Sequence, residues 1–478
     1  MPDTGADTGA DASPDTSRHQ QTPAQIPPAQ IPPAQIPPRY HPDTGSMRAS
    51  RANAAFWLGW LGLAAWCYLH TFDDPSSIFY DAARAYRLRF STVRTAEVDR
   101  YLQRMAVAAP RSRLAPPLLC VGIPSVKRTT ESFLGHAVGS LVDTLTPAER
   151  ELVYLVVLLA DKAPQTHFAY AQPWLGRLAD EVVVYGDGHA LANANANATA
   201  NATANYRAIP YDVRDTPRGD GRTENMRLDH SVLVERCRRQ ATPFFALVED
   251  DVIASRDWFA RFRSAVQHVD RAAQKTGRDW IYLRLFYSEL LMGWNAEEWL
   301  SYAEVVFGVY AVLLLVLLAL RRRHRHRHRH RHRRSPAAPS AKASAQHFDF
   351  MAAQVLGLWT PALIALFFMA GRISLRRLVP PPLRGAAAGV REMPNYGCCA
   401  QGLVFPERHL EGLQALLRNP PFAFAGDQIL EDYARDRGLA KWALDPSVLQ
   451  HSGRRESSRL SGPRKADVWN FSFERQQR

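Results

Sequence analysis

Three apolar stretches constrain the fold of this chain more than any other feature. They cover residues 54–69, 305–320 and 352–371, and none of them contains an acidic or basic side chain. A membrane-spanning helix needs about 20 apolar residues, with about 17 as a lower limit. The third stretch meets this length, and the first two reach it with their weakly polar flanks. The sequence therefore predicts transmembrane helices at 54–72, 303–320 and 352–371, with a buried core helix as the alternative for each.

Charge is distributed unevenly and orients the predicted helices. The formal net charge is +13, but residues 321–334 contribute nine arginines, five histidines and no acid. Because this tract accounts for most of the excess, a basic surface for nucleic acid is a poor interpretation. Arg48 and Arg51 precede the first apolar stretch, and Asp73 and Asp74 follow it. The bias of positive charge toward the cytosol then places the amino terminus there.

The predicted topology divides the chain into alternating compartments. Three arginines on the predicted lumenal side argue mildly against this topology: Arg372, Arg376 and Arg377. The nine arginines of the tract at 321–334 outweigh them. The Pro-rich first 50 residues predict a disordered tail. The predicted regions are a cytosolic tail (1–50), an anchor (54–72), a first lumenal part (73–300), a basic cytosolic loop (321–351) between the other two helices, and a second lumenal part (372–478).

The predicted lumenal parts alternate strand and helix patterns. Fully apolar runs of strand length alternate with residues at helical spacing, such as 226–240. This alternation predicts an α/β fold with a largely parallel sheet and helices on both faces. Ligands of such sheets bind at the carboxyl ends of the strands. The predicted strands are 118–123, 152–159, 181–185, 244–248 and 280–286.

The strongest local signal is an acidic triplet at the end of a predicted strand. Glu249, Asp250 and Asp251 directly follow the apolar run 244–248. Clustered carboxylates repel one another unless a cation compensates them. A divalent ion shared with a sugar-nucleotide diphosphate would supply that compensation, since Mg²⁺ and Mn²⁺ favour carboxylate and phosphate oxygens. The alternative is a helix amino terminus, where acids interact favourably with the helix dipole.

Five segments in order resemble a known group of enzymes. Together with the membrane hairpin, they are similar to GT-A (Rossmann-like) glycosyltransferases that use Glu-Asp-Asp, and most of all to the Golgi GPI-glycan N-acetylgalactosamine transferase family. The resemblance covers about residues 54–460. The segments are 118–128 (LLCVGIPSVKR), 247–252 (LVEDDV), 286–294 (FYSELLMGW), 401–406 (QGLVFP) and 449–453 (LQHSG).

The resemblance implies roles for particular residues. Asp251 and His451 would be ligands of Mn²⁺ or Mg²⁺, and Asp427 would be the base that deprotonates the acceptor, with an ordinary helix N-cap as its alternative. The residues implied at the nucleotide and the diphosphate end of the donor are Gly122, Pro124, Arg128, Glu249, Asp250 and Asp251.

The resemblance also implies a function. The expected protein is a multi-pass Golgi glycosyltransferase with a lumenal catalytic domain, which transfers a sugar from a UDP-sugar to the glycan of a GPI-anchored protein or GPI lipid. Relatives invert the anomeric centre, so a base without a covalent intermediate is expected. The alternatives are another UDP-sugar or acceptor, or a membrane scaffold with a degenerate transferase fold.

Cysteines and asparagines give weaker expectations. Cys120 lies in a predicted buried strand, and Cys237, Cys398 and Cys399 could pair in an oxidising lumen, with the connectivity left open. Asn470 precedes Phe-Ser and matches the glycosylation pattern, as do two positions in the low-complexity run 190–205.

Overall fold

The computed structural model describes residues 44–107, 115–128, 132–186, 205–211, 221–334, 341–378, 389–393, 400–452 and 468–476. The chain divides into two compact units, Met1–Arg51 and Ala52–Arg478. The first is described only from residue 44, where helix α1 begins, and the fold below is that of the second. The predicted disordered tail lies almost wholly outside the described residues, as do Cys398, Cys399 and most of the low-complexity run.

The second unit is built around a nine-stranded mixed sheet of order β4-β3-β2-β1-β5-β9-β7-β10-β8, beside a two-stranded sheet of β11 and β6. Strand β9 is antiparallel to both β5 and β7, and β8 is antiparallel to β10, so the remaining seven strands run in one direction. The strands are β1 Leu119–Ser125, β2 Val153–Leu159, β3 Glu181–Tyr185, β4 Tyr206–Ile209, β5 Phe244–Val248, β6 Val252–Ala254, β7 Trp280–Arg284, β8 Val390–Glu392, β9 Gly402–Pro406, β10 Ala440–Leu444 and β11 Leu449–His451.

Helices cover both faces of the sheet. They are α1 Thr44–His70, α2 Ala82–Ala85, α3 Phe90–Met105, α4 Leu134–Val142, α5 Pro147–Glu151, α6 Pro173–Leu178, α7 Gly221–Arg238, α8 Trp258–Thr276, α9 Trp299–Arg334, α10 Ala341–Gln354, α11 Thr360–Ala370, α12 Arg372–Leu378, α13 Leu410–Arg418 and α14 Gly426–Asp436. A π-helical segment, Val355–Trp359, joins α10 to α11.

The prediction of an α/β fold with a largely parallel sheet is confirmed, since seven of the nine strands run in one direction. The five predicted strands all exist, and 181–185 and 244–248 have their predicted bounds. The sheet is mixed, however, because β9 inserts between β5 and β7 in the opposite direction. Strand direction depends on pairing between distant segments, which an apolar run does not specify.

Alternation along β1 divides the core between the two faces. Leu119, Val121 and Ile123 face one apolar cluster, whereas Cys120 faces the other. The second cluster contains Leu233 of α7, which packs so closely on β1 that a Cβ at Gly122 would lie 3.0 Å from the Cβ of Leu233. Glycine at this position therefore permits the close approach of α7 to the sheet.

A disulfide joins β1 to α7. Cys120 and Cys237 are bonded and are separated by 117 positions in sequence. The sequence analysis left the pairing open and did not include Cys120 among the candidates, because a cysteine in a buried strand also packs well as a free thiol. A disulfide of this kind is expected in an oxidising compartment.

Among the described residues, two helical segments are long and apolar enough to cross a membrane. They are Glu289–His326 and Ala345–Ala370, which contain the second and third apolar stretches. Helix α1 is not one of the two. It nevertheless lies against the third stretch, since Trp60 donates from Nε1 to the carbonyl of Ala362 at 2.8 Å and Phe56 stacks on Trp359.

A set of ion pairs and hydrogen bonds links the ends of these helices to the α/β unit. Asp74 follows α1 and accepts a hydrogen bond from the backbone N–H of Ser374 at 2.6 Å. Asp73 forms ion pairs with Arg377, at 3.2 Å, and with Arg475 near the carboxyl terminus. The charged residues therefore tie α1, α12 and the carboxyl-terminal segment together.

The predicted glycosylation of Asn470 is wrong for the folded domain. Asn470 is fully buried, and its Nδ2 donates to the carbonyls of Ser447 and Leu449 at 3.2 and 3.3 Å. An amide committed to two internal hydrogen bonds has no surface on which to carry a glycan.

Replacing Cys237 with serine tests the disulfide. Opening a loop of this length is expected to lower the free energy of unfolding by about 2 to 5 kcal/mol, because the unfolded chain regains entropy. Thermal unfolding of the full chain in detergent, with and without reductant, measures the effect. The matched control is Cys67→Ala, since Cys67 carries no disulfide. Identical unfolding of wild type and Cys237→Ser would contradict the prediction.

Candidate functional site

The candidate site forms where β5 ends. All five residues of β5 are buried, and Glu249, Asp250 and Asp251 follow directly. Asp250 and Asp251 are 6% and 4% exposed, whereas Glu249 is half-buried. Strand β6 begins at Val252, so the triplet occupies a short connection between two buried strands and is not a helix amino terminus.

Arg128 supplies the positive charge that the triplet needs. It follows β1, the neighbour of β5, so the carboxyl ends of two adjacent parallel strands bring the groups together. Its guanidinium forms an ion pair with Asp250 and lies 3.1 Å from Oδ2 of Asp251. Ser125 donates to the other oxygen of Asp250 at 2.6 Å. Asp250 is therefore fully occupied by two donors.

His451 approaches the triplet from the two-stranded sheet. Strand β11 pairs antiparallel with β6, which places His451 opposite Val252. Its Nε2 lies 3.4 Å from Oδ2 of Asp251, and the backbone N–H of Ser452 donates to the carbonyl of Asp251 at 2.7 Å. Two residues separated by 200 positions in the sequence thus lie side by side, and their role as metal ligands, which the resemblance implies, stays a prediction.

The three acids have different proton affinities. Burial, aided by the neighbouring charge of Asp251, raises the pKa of Glu249 to about 8. Burial also raises the pKa of Asp250, with Arg128 acting in the opposite direction. Burial alone would raise the pKa of Asp251, but His451 and Arg128 outweigh it and lower that pKa to about 2. Asp251 is therefore the acid held most firmly as a carboxylate.

The donor set near Asp251 fits a hard cation that a ligand helps to hold. Oδ1 of Asp251 is buried and accepts no hydrogen bond among the described residues. Within that part of the chain, no cluster of three or more His, Cys, Asp or Glu side chains could hold a metal ion. The chain thus offers one carboxylate and one imidazole, and phosphates and water would supply the other ligands, as is common for Mg²⁺.

Ser125 and His167 extend the site beyond the predicted residues. Ser125 Oγ lies 3.1 Å from Nε2 of His167, which is buried. Burial lowers the pKa of His167 to about 4, so this imidazole is neutral near pH 7. Ser125 belongs to a segment that the resemblance had already identified, but nothing in the sequence around His167 distinguishes it.

Gly122 and Pro124 lie within β1. Gly122 faces Leu233 and Phe245 in the core, and Pro124 is paired with Leu158 of β2. Both therefore support the strand whose end presents Ser125 and Arg128, and their contact with a nucleotide stays a prediction.

Asp427 lies in the first turn of α14 and shares a cavity with Glu249. The cavity has a volume of about 200 Å³, and His230 of α7 also lines it. Ala425 is the N-cap residue of α14, so Asp427 does not occupy the ordinary capping position. Its Oδ1 accepts the backbone N–H of Gln428 at 2.9 Å.

Comparisons with known proteins identify the family. The family model described as GPI-N-acetylgalactosamine transferase PGAP4 matches residues 119–450, which include the strands and the acidic triplet. The chain belongs to this family. Its members are glycosyltransferases, so the enzyme class expected from the sequence is confirmed.

Other comparisons add little to the family match. No curated protein sequence matches the chain. A solved structure, the mannosyltransferase PcManGT from Pyrobaculum calidifontis in complex with GDP-Man and Mn²⁺, is similar at 11% identity with a TM-score of 0.18, covering 41% of this chain and 44% of that one. The chain therefore spans less than half of that protein.

In this member of the family, one arginine holds the segment that leads to Asp427. Arg227 of α7 donates to the backbone carbonyls of Leu416 and Leu417, at 2.9 and 3.2 Å, and of Asn419 and Pro421, at 2.7 and 3.3 Å. A single buried guanidinium thus fixes the connection between α13 and α14. No sequence pattern indicates this role for Arg227, because the acceptors are backbone atoms.

Arg128→Gln tests the charge compensation. Removing one partner of a buried ion pair leaves the carboxylates uncompensated, so the free energy of unfolding should fall by about 3 kcal/mol near neutral pH. Without Arg128, the folded-state pKa of Asp250, which burial already raises, rises further, and the pKa of Asp251 also rises from its wild-type position, so both carboxyl groups are protonated more readily as the pH falls. The loss should therefore be smaller at about pH 5 than at about pH 7.5. Thermal unfolding at the two pH values measures it.

The control for this variant is Arg256→Gln. Arg256 forms its ion pair with Glu97 at the surface, where such pairs contribute about 0 to 1 kcal/mol. Equal destabilisation of the two variants, or a loss at Arg128 that does not depend on pH, would contradict the argument.

Proposed function

We propose that the protein transfers N-acetylgalactosamine from a UDP-sugar to the glycan of GPI anchors, on a GPI-anchored protein or a GPI lipid. The observation that carries this proposal is the arrangement of Asp251, Arg128 and His451 at the carboxyl edge of the sheet, in a chain that belongs to this transferase family. The fold we infer is GT-A-like, since a sheet of this order places a nucleotide at that edge.

Arg128 and the triplet form the diphosphate end of the proposed donor site. The side chain of Arg128 is 18% exposed. Its guanidinium can therefore bind a phosphate oxygen on one side while it pairs with Asp250 on the other. Gly122 and Pro124 support the same loop from within β1. Asp251 and His451 are the residues that would hold Mn²⁺ or Mg²⁺, a cation that offsets the charge building on the leaving diphosphate.

Asp427 is the proposed base. Its carboxylate would accept the proton of the acceptor hydroxyl as that oxygen attacks the anomeric carbon and the UDP oxygen leaves. The bond to UDP breaks on the face opposite the attack, so the anomeric centre is inverted and no covalent enzyme intermediate forms. The position of Asp427 in a cavity next to Glu249 supports this role.

The proposed setting is a Golgi membrane with the α/β unit in the lumen. Helices α1, α9 and α10–α11 would cross the bilayer, with residues 321–351 and the amino terminus in the cytosol. The disulfide between Cys120 and Cys237 supports an oxidising compartment. Because the acceptor is attached to a lipid, a membrane hairpin within the catalytic unit would raise the effective concentration of acceptor at the site.

Two alternatives remain from the sequence. The first keeps the enzyme class and changes the sugar or the acceptor. The second is a scaffold with an inactive transferase fold, which the retained carboxylate and imidazole at Asp251 and His451 disfavour. Mass spectrometry of GPI glycans, with and without the protein in cells, separates them from the proposed reaction.

Asp251→Asn tests the enzyme. The amide keeps the shape of the side chain but removes the charge that binds a cation and orients Arg128, so transfer from UDP-N-acetylgalactosamine should fall by about 10³-fold or more. Asp436→Asn is the control, because Asp436 lies on the surface of α14. Wild-type levels of transfer in the folded Asp251→Asn variant would exclude this mechanism.

Removal of divalent metal tests the proposed cofactor. Transfer by the full-length enzyme in detergent should be lost in excess EDTA and restored by Mn²⁺ or Mg²⁺, since one carboxylate and one imidazole bind such ions weakly. Sodium chloride added to the same ionic strength is the control, since Na⁺ does not replace a divalent ion at such a site. Full activity in EDTA would mean that Arg128 alone compensates the leaving diphosphate.

A further inference from the structure

The acidic triplet separates into two groups with different surroundings. Asp250 and Asp251 face Ser125, Arg128 and His451. Glu249 instead lines the cavity that contains Asp427. Glu249 is only two positions from Asp251 in the same short connection between β5 and β6. The cavity therefore begins directly beside the proposed diphosphate site. In a UDP-sugar the sugar is bonded to the diphosphate, so the sugar of a bound donor would lie next to this cavity.

The walls of this cavity are mostly apolar. Side chains from α7, β5, β9, α13 and α14 contribute, and the polar lining consists of Glu249, His230 and Asp427. His230 is buried, and burial lowers its pKa to about 4, so its imidazole is neutral and offers one donor and one acceptor. The apolar wall includes Met226, Val234, Leu247, Leu403, Leu413 and Leu430.

Size and polarity restrict what the cavity can hold. Its volume of about 200 Å³ is below the range of about 300–1,000 Å³ that is usual for whole ligands. At about 30 Å³ for each water-sized group, about seven such groups fit, which is more than an acetamido group needs. A plain hexose would place only a hydroxyl group here, which could reach the polar lining but would leave the apolar walls without a contact. An acylamino group has one apolar end and one amide, which matches these walls.

We propose that this cavity receives the acylamino group of the transferred sugar, with its methyl group against the apolar wall and its amide hydrogen-bonded to Glu249 or His230. The inference rests on the proposed function, because that function places the donor diphosphate at Arg128 and Asp251. According to this inference, Glu249 and the cavity distinguish N-acylated sugar donors from plain hexose donors.

Binding of donors to the full-length protein in detergent with Mn²⁺ tests the inference. UDP, UDP-galactose, UDP-N-acetylgalactosamine and its N-propionyl analogue are titrated by calorimetry. The N-acetyl donor should bind at least about 10-fold more tightly than UDP-galactose, the size expected for a small apolar group in a fitted pocket. The N-propionyl donor should bind within about three-fold of the N-acetyl donor, because the cavity has spare volume.

The variant Ala425→Leu narrows the cavity. Ala425 lines the cavity from an exposed position, so the larger side chain should not disturb the core. The preference for the N-acetyl donor over UDP-galactose should fall about 10-fold, with UDP itself bound as in wild type. Ala423→Leu is the matched control, since Ala423 is exposed in the same loop and does not line the cavity.

Each outcome decides a separate claim. If UDP does not bind to the wild type, the proposed function fails. If UDP binds and the two sugar donors bind equally, or the N-propionyl donor is rejected, the cavity is packing space only and the inference fails. Should Ala425→Leu not fold, the wild-type donor series still decides the question.

Discussion

The compensation of three consecutive carboxyl groups at the end of a buried strand is the constraint on which the site depends. Two like charges about 4 Å apart cost several kcal/mol where water is scarce. The chain meets this constraint in two ways. It pairs Asp250 and Asp251 with one guanidinium, that of Arg128, and it turns Glu249 toward a separate cavity where a raised pKa favours its neutral form. The same arrangement therefore balances the charges and divides the site into two parts. A phosphorylated ligand would bind at Arg128, where the positive charge lies.

The two long apolar helical segments are inserted into the α/β unit and are not attached to one end of it. Strand β9 follows the apolar helices in sequence, yet it lies between β5 and β7, which precede them. The same later part of the chain carries α14, with Asp427, and β11, with His451. The site is thus assembled from chain segments that precede and follow the two apolar helical segments. Asp74 also connects these parts of the chain, since it accepts a hydrogen bond from Ser374 just after the last apolar helix.

Sequence reasoning located what is local and missed what depends on distant pairing. Strand β5 and the triplet could be predicted because a fully apolar run followed by acids is a continuous pattern. The meeting of Asp251 and His451 required a family resemblance, since two short strands that pair antiparallel leave almost no periodic signal. Ser125 and His167 had no signal as a pair, because a hydroxyl and an imidazole 42 residues apart meet only through the sheet. The cavity beside Glu249 is formed by five elements, and no single segment encodes it.

The arginines after the third apolar stretch were the one feature that argued against the proposed orientation. In the structure each of them is paired: Arg372 with Glu298 at 2.5 Å, Arg376 with Asp445 at 2.7 Å, and Arg377 with Asp73 at 3.2 Å. A folded ion pair presents little net charge to a membrane surface, so these residues should not count as a positive cluster in the folded protein. The tract at 321–334 contains no acid of its own and keeps its large excess of positive charge. For the proposed membrane hairpin, this difference in charge favours the cytosolic side for the tract at 321–334.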